Sequence, residues 1–169
     1  RFDLNGNLIN MDRFNNLTSY YGFLEQAPDG SFYQSVVRSD SWNDSAGNSY
    51  SAGLSIIKYN VNGSIVWVRT ASTSGSTVSA HGSSTPGFNG VLFVDNSGLT
   101  LFGKMSANAV INYGNNTLSA GSSNQAMFVM RFDLNGNLIN MDRFNNLTSY
   151  YGFLEQAPDG SFYQSVVRS

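Results

Sequence analysis

The chain has 169 residues, no cysteine, and only 12% charged residues, with 9 Lys+Arg against 11 Asp+Glu. The absence of cysteine excludes disulfides, thiolate metal sites and a cysteine nucleophile. A net charge of −2 without a basic run argues against nucleic acid as a partner, because that partner requires clustered Lys and Arg. No apolar run is long enough to predict a membrane span in this segment. The polar, weakly charged composition favours an exported structural or adhesive protein, so we expect an extracellular or cell-surface location.

The first 39 residues return letter for letter at the other end of the chain. Residues 1–39 (RFDLNGNLINMDRFNNLTSYYGFLEQAPDGSFYQSVVRS) are identical to residues 131–169, an offset of 130 residues. A fixed internal period dictates the fold and is interpreted before other signals. Near-identical repeated units usually build length or surface, so the period bears on function as well.

Short apolar runs rich in aromatic and β-branched residues alternate with Gly, Asn and Ser, which predicts an all-β chain. Two kinds of turn separate the runs. Asn-Gly turns are predicted to be of type I′, with positive φ at both central residues. Looser turns carry Gly in the left-handed position. The Asn-Gly turns are Asn5-Gly6, Asn62-Gly63 and Asn135-Gly136, and the looser turns contain Asp29-Gly30 and Asn96-Ser97-Gly98.

The two kinds of turn alternate, and their spacing reveals a weaker repeat inside the period. The Asn-Gly turns are 57 and 73 residues apart, and the looser turns at Gly30, Gly98 and Gly160 are 68 and 62 apart. Both pairs of spacings add up to 130, so each period is predicted to hold two divergent four-stranded units. The predicted strands are 21–28, 31–39, 52–61 and 64–70 in one unit, and 88–95, 98–105, 124–133 and 137–143 in the next.

Four antiparallel strands in a meander are the plan of a β-propeller blade. We therefore expect tandem propeller-like blades, two per 130-residue repeat, in an open or filament-forming array. The predicted organisation is the end of one blade at 1–13, a complete blade at 21–70, a Ser/Gly-rich connection at 71–87, a second complete blade at 88–143, and the first half of a third at 151–169.

The turn-and-strand motifs resemble a bacterial tandem β-propeller repeat family found in exported proteins. The resemblance rests on residues 91–105 (VLFVDNSGLTLFGKM), 111–121 (INYGNNTLSAG), 127–137 (MFVMRFDLNGN) and 56–67 (IIKYNVNGSIVW). Two departures stand out: residues 40–51 replace the usual Phe-Gly linker, and Asn140 replaces a usual Trp. The resemblance implies a fold and a cell-surface or secreted setting, and it implies no activity.

No constellation of residues typical of catalysis is visible. His81 is the only histidine, and it lacks the partners that a catalytic triad or a zinc site requires. Asp3, Asn5 and Asn7 have the opening spacing of a calcium loop, but the sixth and twelfth loop positions hold Leu8 and Phe14. A hairpin turn is the preferred interpretation there. We predict no catalytic residue, no metal, no cofactor and no enzymatic activity.

Aromatic residues make up 14% of the chain, and those in strands are predicted to pack between layers. Trp42 and Tyr50 fall in a predicted polar loop and are the candidates for a contact surface, with surface glycans as possible partners. The Asn-x-Ser/Thr pattern marks potential glycan acceptors. The predicted acceptors are Asn16, Asn43, Asn115 and Asn146. Asn62 also fits the pattern but is not included, because it lies in a predicted tight turn.

A single four-stranded blade cannot bury both of its faces and must stack on a neighbour. Two complete blades and two fragments are fewer than the about four to eight of a closed ring. We therefore expect an excerpt of an array, or a protomer completed by its neighbours. The leading hypothesis is a head-to-tail filament or fibre whose partner is the same chain. A closed six- or eight-bladed module for adhesion or carbohydrate binding is the alternative, and a polysaccharide-acting enzyme is the weakest.

Overall fold

The structure is a computed structural model that describes residues 5–8, 22–79, 91–122, 125–145, 152–157 and 159–166. Within these residues the regular secondary structure is β-strand, arranged in antiparallel sheets that do not close. The all-β prediction is confirmed. None of these residues belongs to a helix that is long and apolar enough to span a membrane. Five residues named above lie outside the described ranges: Asp3, Phe14, Asn16, His81 and Asn146.

The strands are short and are numbered here in chain order. They are β1 (Gly22–Gln26), β2 (Phe32–Arg38), β3 (Trp42–Asn43), β4 (Ser49–Tyr50), β5 (Gly53–Tyr59), β6 (Ile65–Ser74), β7 (Val78–Ser79), β8 (Val91–Asp95), β9 (Gly98–Met105), β10 (Val110–Tyr113), β11 (Asn116–Ser119), β12 (Ala126–Phe132), β13 (Leu138–Asn145), β14 (Gly152–Gln156) and β15 (Phe162–Val166). Each of the eight predicted strands has a counterpart in this series.

The first sheet contains β1, β2, β5 and β6 as successive antiparallel neighbours, extended by β10 and β11. The second sheet has the order β13-β12-β9, with both β8 and β7 paired to β9. The β3–β4 hairpin lies in the connection from β2 to β5. The β14–β15 hairpin, called the outer hairpin below, forms a separate two-stranded sheet.

The second sheet lies between the first sheet and the outer hairpin. Successive residues of a strand point to opposite faces of a sheet, and the packing follows this alternation. On β5, Ile56 joins the core shared with the second sheet, whereas Ile57 packs on the opposite face with Trp42 and Tyr59. On β12, Phe128 joins that shared core, whereas Met127 packs on the side of the outer hairpin. Central strands are therefore buried on both faces.

The outer hairpin repeats the pairing register of β1 and β2. Gln26 is opposite Phe32 in the first copy, and Gln156 is opposite Phe162 in the second. The same offset of 130 residues relates every other pair of the two hairpins. Identical sequences therefore adopt the same local structure at two positions that have different neighbours.

The Asn-Gly turns differ from the predicted type I′ geometry. Asn108 is the one non-glycine residue with positive φ in the described ranges, so neither Asn62 nor Asn135 has the predicted backbone. Instead Gly136 N–H donates to the Asp133 carbonyl oxygen, and the strand register shifts just before the turn, between Arg131 and Phe132. This is a wider loop with a glycine bulge. The Asp133 carboxylate favours it by accepting hydrogen bonds from the backbone N–H groups of Asn135 and Asn137.

The predicted Ser/Gly-rich connection at 71–87 begins later than expected. Strand β6 continues to Ser74, because Ser72, Thr73 and Ser74 pair with residues 110–112 of β10. Val78 and Ser79 then pair with the end of β9. Composition alone indicated a loop, but a partner strand distant in sequence provides backbone hydrogen bonds for these polar residues. Residues 80–87 lie outside the described part of the chain.

Candidate functional site

The features that could serve a structural function are the joints between successive layers. The first joint is formed where the turn between β12 and β13 rests on the first sheet. Turn carbonyls have no strand partner and need donors from elsewhere when they are covered. Here three side chains donate to three successive carbonyl oxygens. The bonds are Tyr33 Oη to Leu134 O (3.4 Å), Arg69 Nη2 to Asn135 O (3.3 Å) and Tyr113 Oη to Gly136 O (3.0 Å).

Aromatic and cationic side chains surround this turn. Tyr33 and Trp67 meet edge to face with ring centroids 5.8 Å apart, and the Arg69 guanidinium lies 5.3 Å from the Trp67 ring centroid. Tyr113 packs edge to face on Phe132 at 5.4 Å. Burial raises the pKa of Tyr113, so its hydroxyl keeps the proton that it donates to the turn.

Gly136 allows the turn to approach the first sheet closely. It has a φ of +80°, and a Cβ atom there would lie 2.9 Å from Arg69 Cγ and 3.1 Å from Trp67 Cη2. Gly6 is the same residue in the other copy, with a φ of +84°, and a Cβ atom there would have no atom of the described residues within 4 Å. The backbone requirement is shared by both glycines, whereas the close contact belongs to the joint at Gly136.

The second joint is formed where the outer hairpin covers the second sheet. The Phe162 ring lies 5.1 Å from the Phe93 ring and 5.0 Å from the Phe102 ring, measured between centroids. Gln156 Nε2 donates to Asp95 Oδ2 at 3.1 Å. The Asp95 pKa is lowered, chiefly by the hydrogen bond from the Ser97 side chain, so this carboxylate is ionised at neutral pH.

Strand pairing provides a third link between the sheets. The β10–β11 hairpin leaves the second sheet and pairs through β10 with the end of β6 in the first. On its other side, the Arg143 guanidinium of β13 donates to the Ser119 carbonyl oxygen. This hairpin therefore ties the edges of two successive layers together by backbone and side-chain hydrogen bonds.

The β3–β4 hairpin corrects the predicted contact surface. Trp42 is only 1% exposed, and it stacks on Tyr50 with ring centroids 4.4 Å apart. The Arg38 guanidinium covers the indole at 3.8 Å from the ring centroid. The polar composition of residues 40–51 suggested an open loop, but the segment folds back as a hairpin and buries its indole. Trp42 therefore offers no surface to a partner in this conformation.

Asp44 organises that hairpin. Its carboxylate accepts hydrogen bonds from the Asn48 backbone N–H (2.8 Å), from Asn48 Nδ2 (2.9 Å) and from Tyr50 Oη (2.9 Å). The pKa of Asp44 is lowered, first by the hydrogen bond from the Asn48 side chain. Burial is the first cause that raises the pKa of Tyr50, and its hydrogen bond to Asp44 adds to it.

Acidification should therefore open the hairpin. A carboxylate whose pKa is lowered by folding stabilises the fold above its ordinary pKa of about 4, and that contribution is lost as pH falls through the lowered value. We expect tryptophan fluorescence to report exposure of Trp42 below about pH 4. The Asp44→Asn variant should lack this transition. An identical titration in that variant would assign the change to another carboxylate.

The remaining predicted residues occupy exposed or turn positions. Asn43 lies on β3 and Asn115 in the β10–β11 turn, and both are exposed. Gly30 and Gly63 have positive φ in the turns after β1 and β5, and Gly98 has positive φ at the start of β9. Asp29 accepts from the Ser31 backbone N–H. Asn5 and Asn62 are exposed.

Two features of the described ranges bear on ligand binding. They contain no group of three or more His, Cys, Asp or Glu residues that could hold a metal ion. They do contain a polar cavity of about 270 Å³ at the ends of β2, β5 and β6. Its lining includes Arg38, Ser39, Gly53 and residues 72–76. Hydroxyl and guanidinium donors of this kind suit a polar or anionic small molecule.

Comparison with known protein families, with characterised proteins and with solved structures finds no match. The functional argument therefore rests on the joints themselves. Sequence reasoning placed the strand aromatics between layers but missed Arg69. The available signal was the alternation of β6, which puts Arg69 on the same face as Trp67, two residues earlier.

Proposed function

We propose that this chain is a structural repeat protein. Its sheets act as propeller-like blades, two per 130-residue repeat, that stack head to tail into an extracellular filament or a long cell-surface fibre. The proposal is carried by one observation: the identical sequences of the β1–β2 hairpin and the outer hairpin are buried to different extents. Tyr33 is fully buried under the second sheet, whereas Tyr163, the same residue of the second copy, is 68% exposed. The outer hairpin thus presents a face that the repeat elsewhere covers with another layer.

The joints suit an open stack. Each layer contacts the next through an apolar interior and a few directional hydrogen bonds, and nearest-neighbour contacts of this kind build quasi-one-dimensional assemblies. The front of one layer meets the back of the next, so the contact is heterologous. A heterologous contact that does not close a ring continues as a helical filament. The low charge limits repulsion between identical units brought close together.

Composition supports the location and the non-catalytic role. A surface dominated by Ser, Thr, Asn and Gly, exposed acceptor patterns at Asn43 and Asn115, and a resemblance to exported repeat proteins all favour the cell exterior. In this role no cofactor is needed, and the principal partner is the chain itself. Neither nucleic acid nor a membrane span is part of the proposal.

The test is the size and shape of the purified chain in solution. We expect light scattering to give a mass that rises with concentration, and electron micrographs to show elongated particles of constant width. Stacking of identical units adds length without adding width, which is the physical reason for this expectation. A compact monomer over the whole concentration range would overturn the proposal.

The polar cavity beside Arg38 favours a second candidate, an adhesion module that binds glycans. In this candidate the blades close into a propeller of six or eight, within the usual range of about four to eight. Ring-shaped particles with a central channel would support it over the fibre. Binding of acidic sugars that is lost in an Arg38→Gln variant would assign the cavity as the glycan site.

A further inference from the structure

We infer that the outward face of the second sheet is a docking site for the first sheet of a second copy of this chain. The outer hairpin occupies part of that site as a placeholder. This inference rests on the proposed function, because it names the surface by which copies would stack. The face, called the seat below, consists of Phe93, Phe102, Met127 and Val129, against which Phe162 packs.

The identity of the two hairpins fixes the partner. Residues 22–38 and 152–168 have the same sequence, and β1–β2 has the same register as β14–β15. Any contact that the outer hairpin makes with the seat can therefore be made by the β1–β2 hairpin of a second copy. Phe32 would replace Phe162 between the two phenylalanine rings, and Gln26 would replace Gln156 at Asp95.

The β1–β2 hairpin carries the matching side chains on the face of the first sheet that points away from the second sheet. We call this surface the back face. Phe32 packs there with Val36 and Ile57. Leu24 lies on the same face, because it is opposite Gln34, and alternation along β2 places Gln34 beside Phe32 and Val36. Leu24 is 61% exposed, so the back face displays apolar surface that the described residues leave uncovered.

A second copy would cover more of the seat than the placeholder does. The outer hairpin has two strands, whereas the docking sheet has β5 and β6 beside β1 and β2 and carries the β3–β4 hairpin, whose Trp42 packs on Val36 and Ile57 of the back face. Beyond the placeholder, Phe144 on β13 faces outward, since it is opposite Met127, and it is 45% exposed. The two hairpins make the same contacts, so the second copy must offset the entropy cost of association by the additional apolar burial, and it is favoured as concentration rises.

Thiol cross-linking tests the contact directly, because the chain has no native cysteine. Two preparations are mixed, one carrying Asp95→Cys and the other Gln26→Cys, and treated with a short bifunctional thiol reagent. We expect a cross-linked dimer of the two chains, several-fold more abundant than in a mixture of Asp95→Cys with Asn115→Cys, a substitution in an exposed turn. Asp95→Cys with Gln156→Cys in one chain is the positive control, since those side chains touch at 3.1 Å.

The same substitution at the two copies of one phenylalanine, Phe162 and Phe32, should then change the yield of the mixed dimer in opposite directions. Phe162→Ser weakens the placeholder and should increase the yield of the mixed dimer. Phe32→Ser weakens the incoming sheet and should decrease it. Equal decreases in both variants would overturn the placeholder role, because they would mean that the outer hairpin itself makes the link. Leu24→Lys should also decrease the yield. Because Leu24 is exposed, this variant is expected to fold, so it tests the back face even if Phe32→Ser is misfolded.

These experiments distinguish failure of the docking site from failure of the proposed fibre. Elongated particles without the mixed dimer would overturn this docking site and leave the fibre standing. Mixed dimers that close into discrete rings would support the docking site and overturn the open fibre. Monomers without cross-links would overturn both.

Discussion

Replacing Tyr33 by alanine is expected to lower the free energy of unfolding by about 3–5 kcal/mol, the range for large aromatic residues truncated in a core. The same substitution at Tyr163 should change it by less than about 0.5 kcal/mol, as is usual at exposed positions. The two residues have the same neighbours in sequence. Tyr33 is fully buried, donates a hydrogen bond to Leu134, and packs on Trp67, whereas Tyr163 is 68% exposed.

Urea denaturation of the two variants, followed by circular dichroism, provides the measurement. Because the sequence and the pairing within the hairpin are identical, the difference between the variants measures what surrounds Tyr33 beyond its hairpin, namely the neighbouring strand β5 and the layer that covers it. Equal losses of stability would contradict the described environment of Tyr163 and would indicate that its face is covered in solution. A Tyr33→Phe variant should lose about 1 kcal/mol, the contribution of the hydrogen bond alone.

Much of the strand order could be predicted, because turn residues punctuate this chain clearly. Pro28, Asp29 and Gly30 separate β1 from β2, and period-2 alternation assigns each strand two faces. The pairing of β6 with β10 could not be predicted in this way. It joins residues 72–74 to residues 110–112, and no local pattern reports a partner so distant in sequence. The polar composition of residues 72–74 indicated a loop instead.

The same limit explains the two corrections at single residues. Trp42 was assigned to the surface from the polarity of its neighbours, but Arg38 and Tyr50 cover the indole, and Asp44 holds Tyr50 by accepting a hydrogen bond from its hydroxyl. The turn at Asn135 was assigned to type I′ from its dipeptide, but the preceding Asp133 favours the wider loop. In both cases an acidic side chain that accepts backbone hydrogen bonds decided the local structure.

Gly136→Val is expected to lower the free energy of unfolding by about 3 kcal/mol. Part of this loss is the strain of a side chain at positive φ, about 1–2 kcal/mol. The remainder is overpacking, typically about 1–3 kcal/mol, since the new atoms would collide with Arg69 and Trp67. Thermal and urea unfolding measure the loss. Cross-strand pairing within β12 and β13 remains possible, so the damage should be concentrated at the joint.

Gly6→Val is the matched control, because Gly6 has nearly the same backbone conformation and, within the described part of the chain, no atom lies within 4 Å of its Cβ position. It should show only the strain, about 1–2 kcal/mol. The difference between the two variants therefore measures how closely the turn rests on the first sheet. A loose joint would absorb the valine side chain and make the two losses equal, which would contradict the close contact. A large difference would mean that successive layers are held at a fixed spacing, as a fibre of constant width requires.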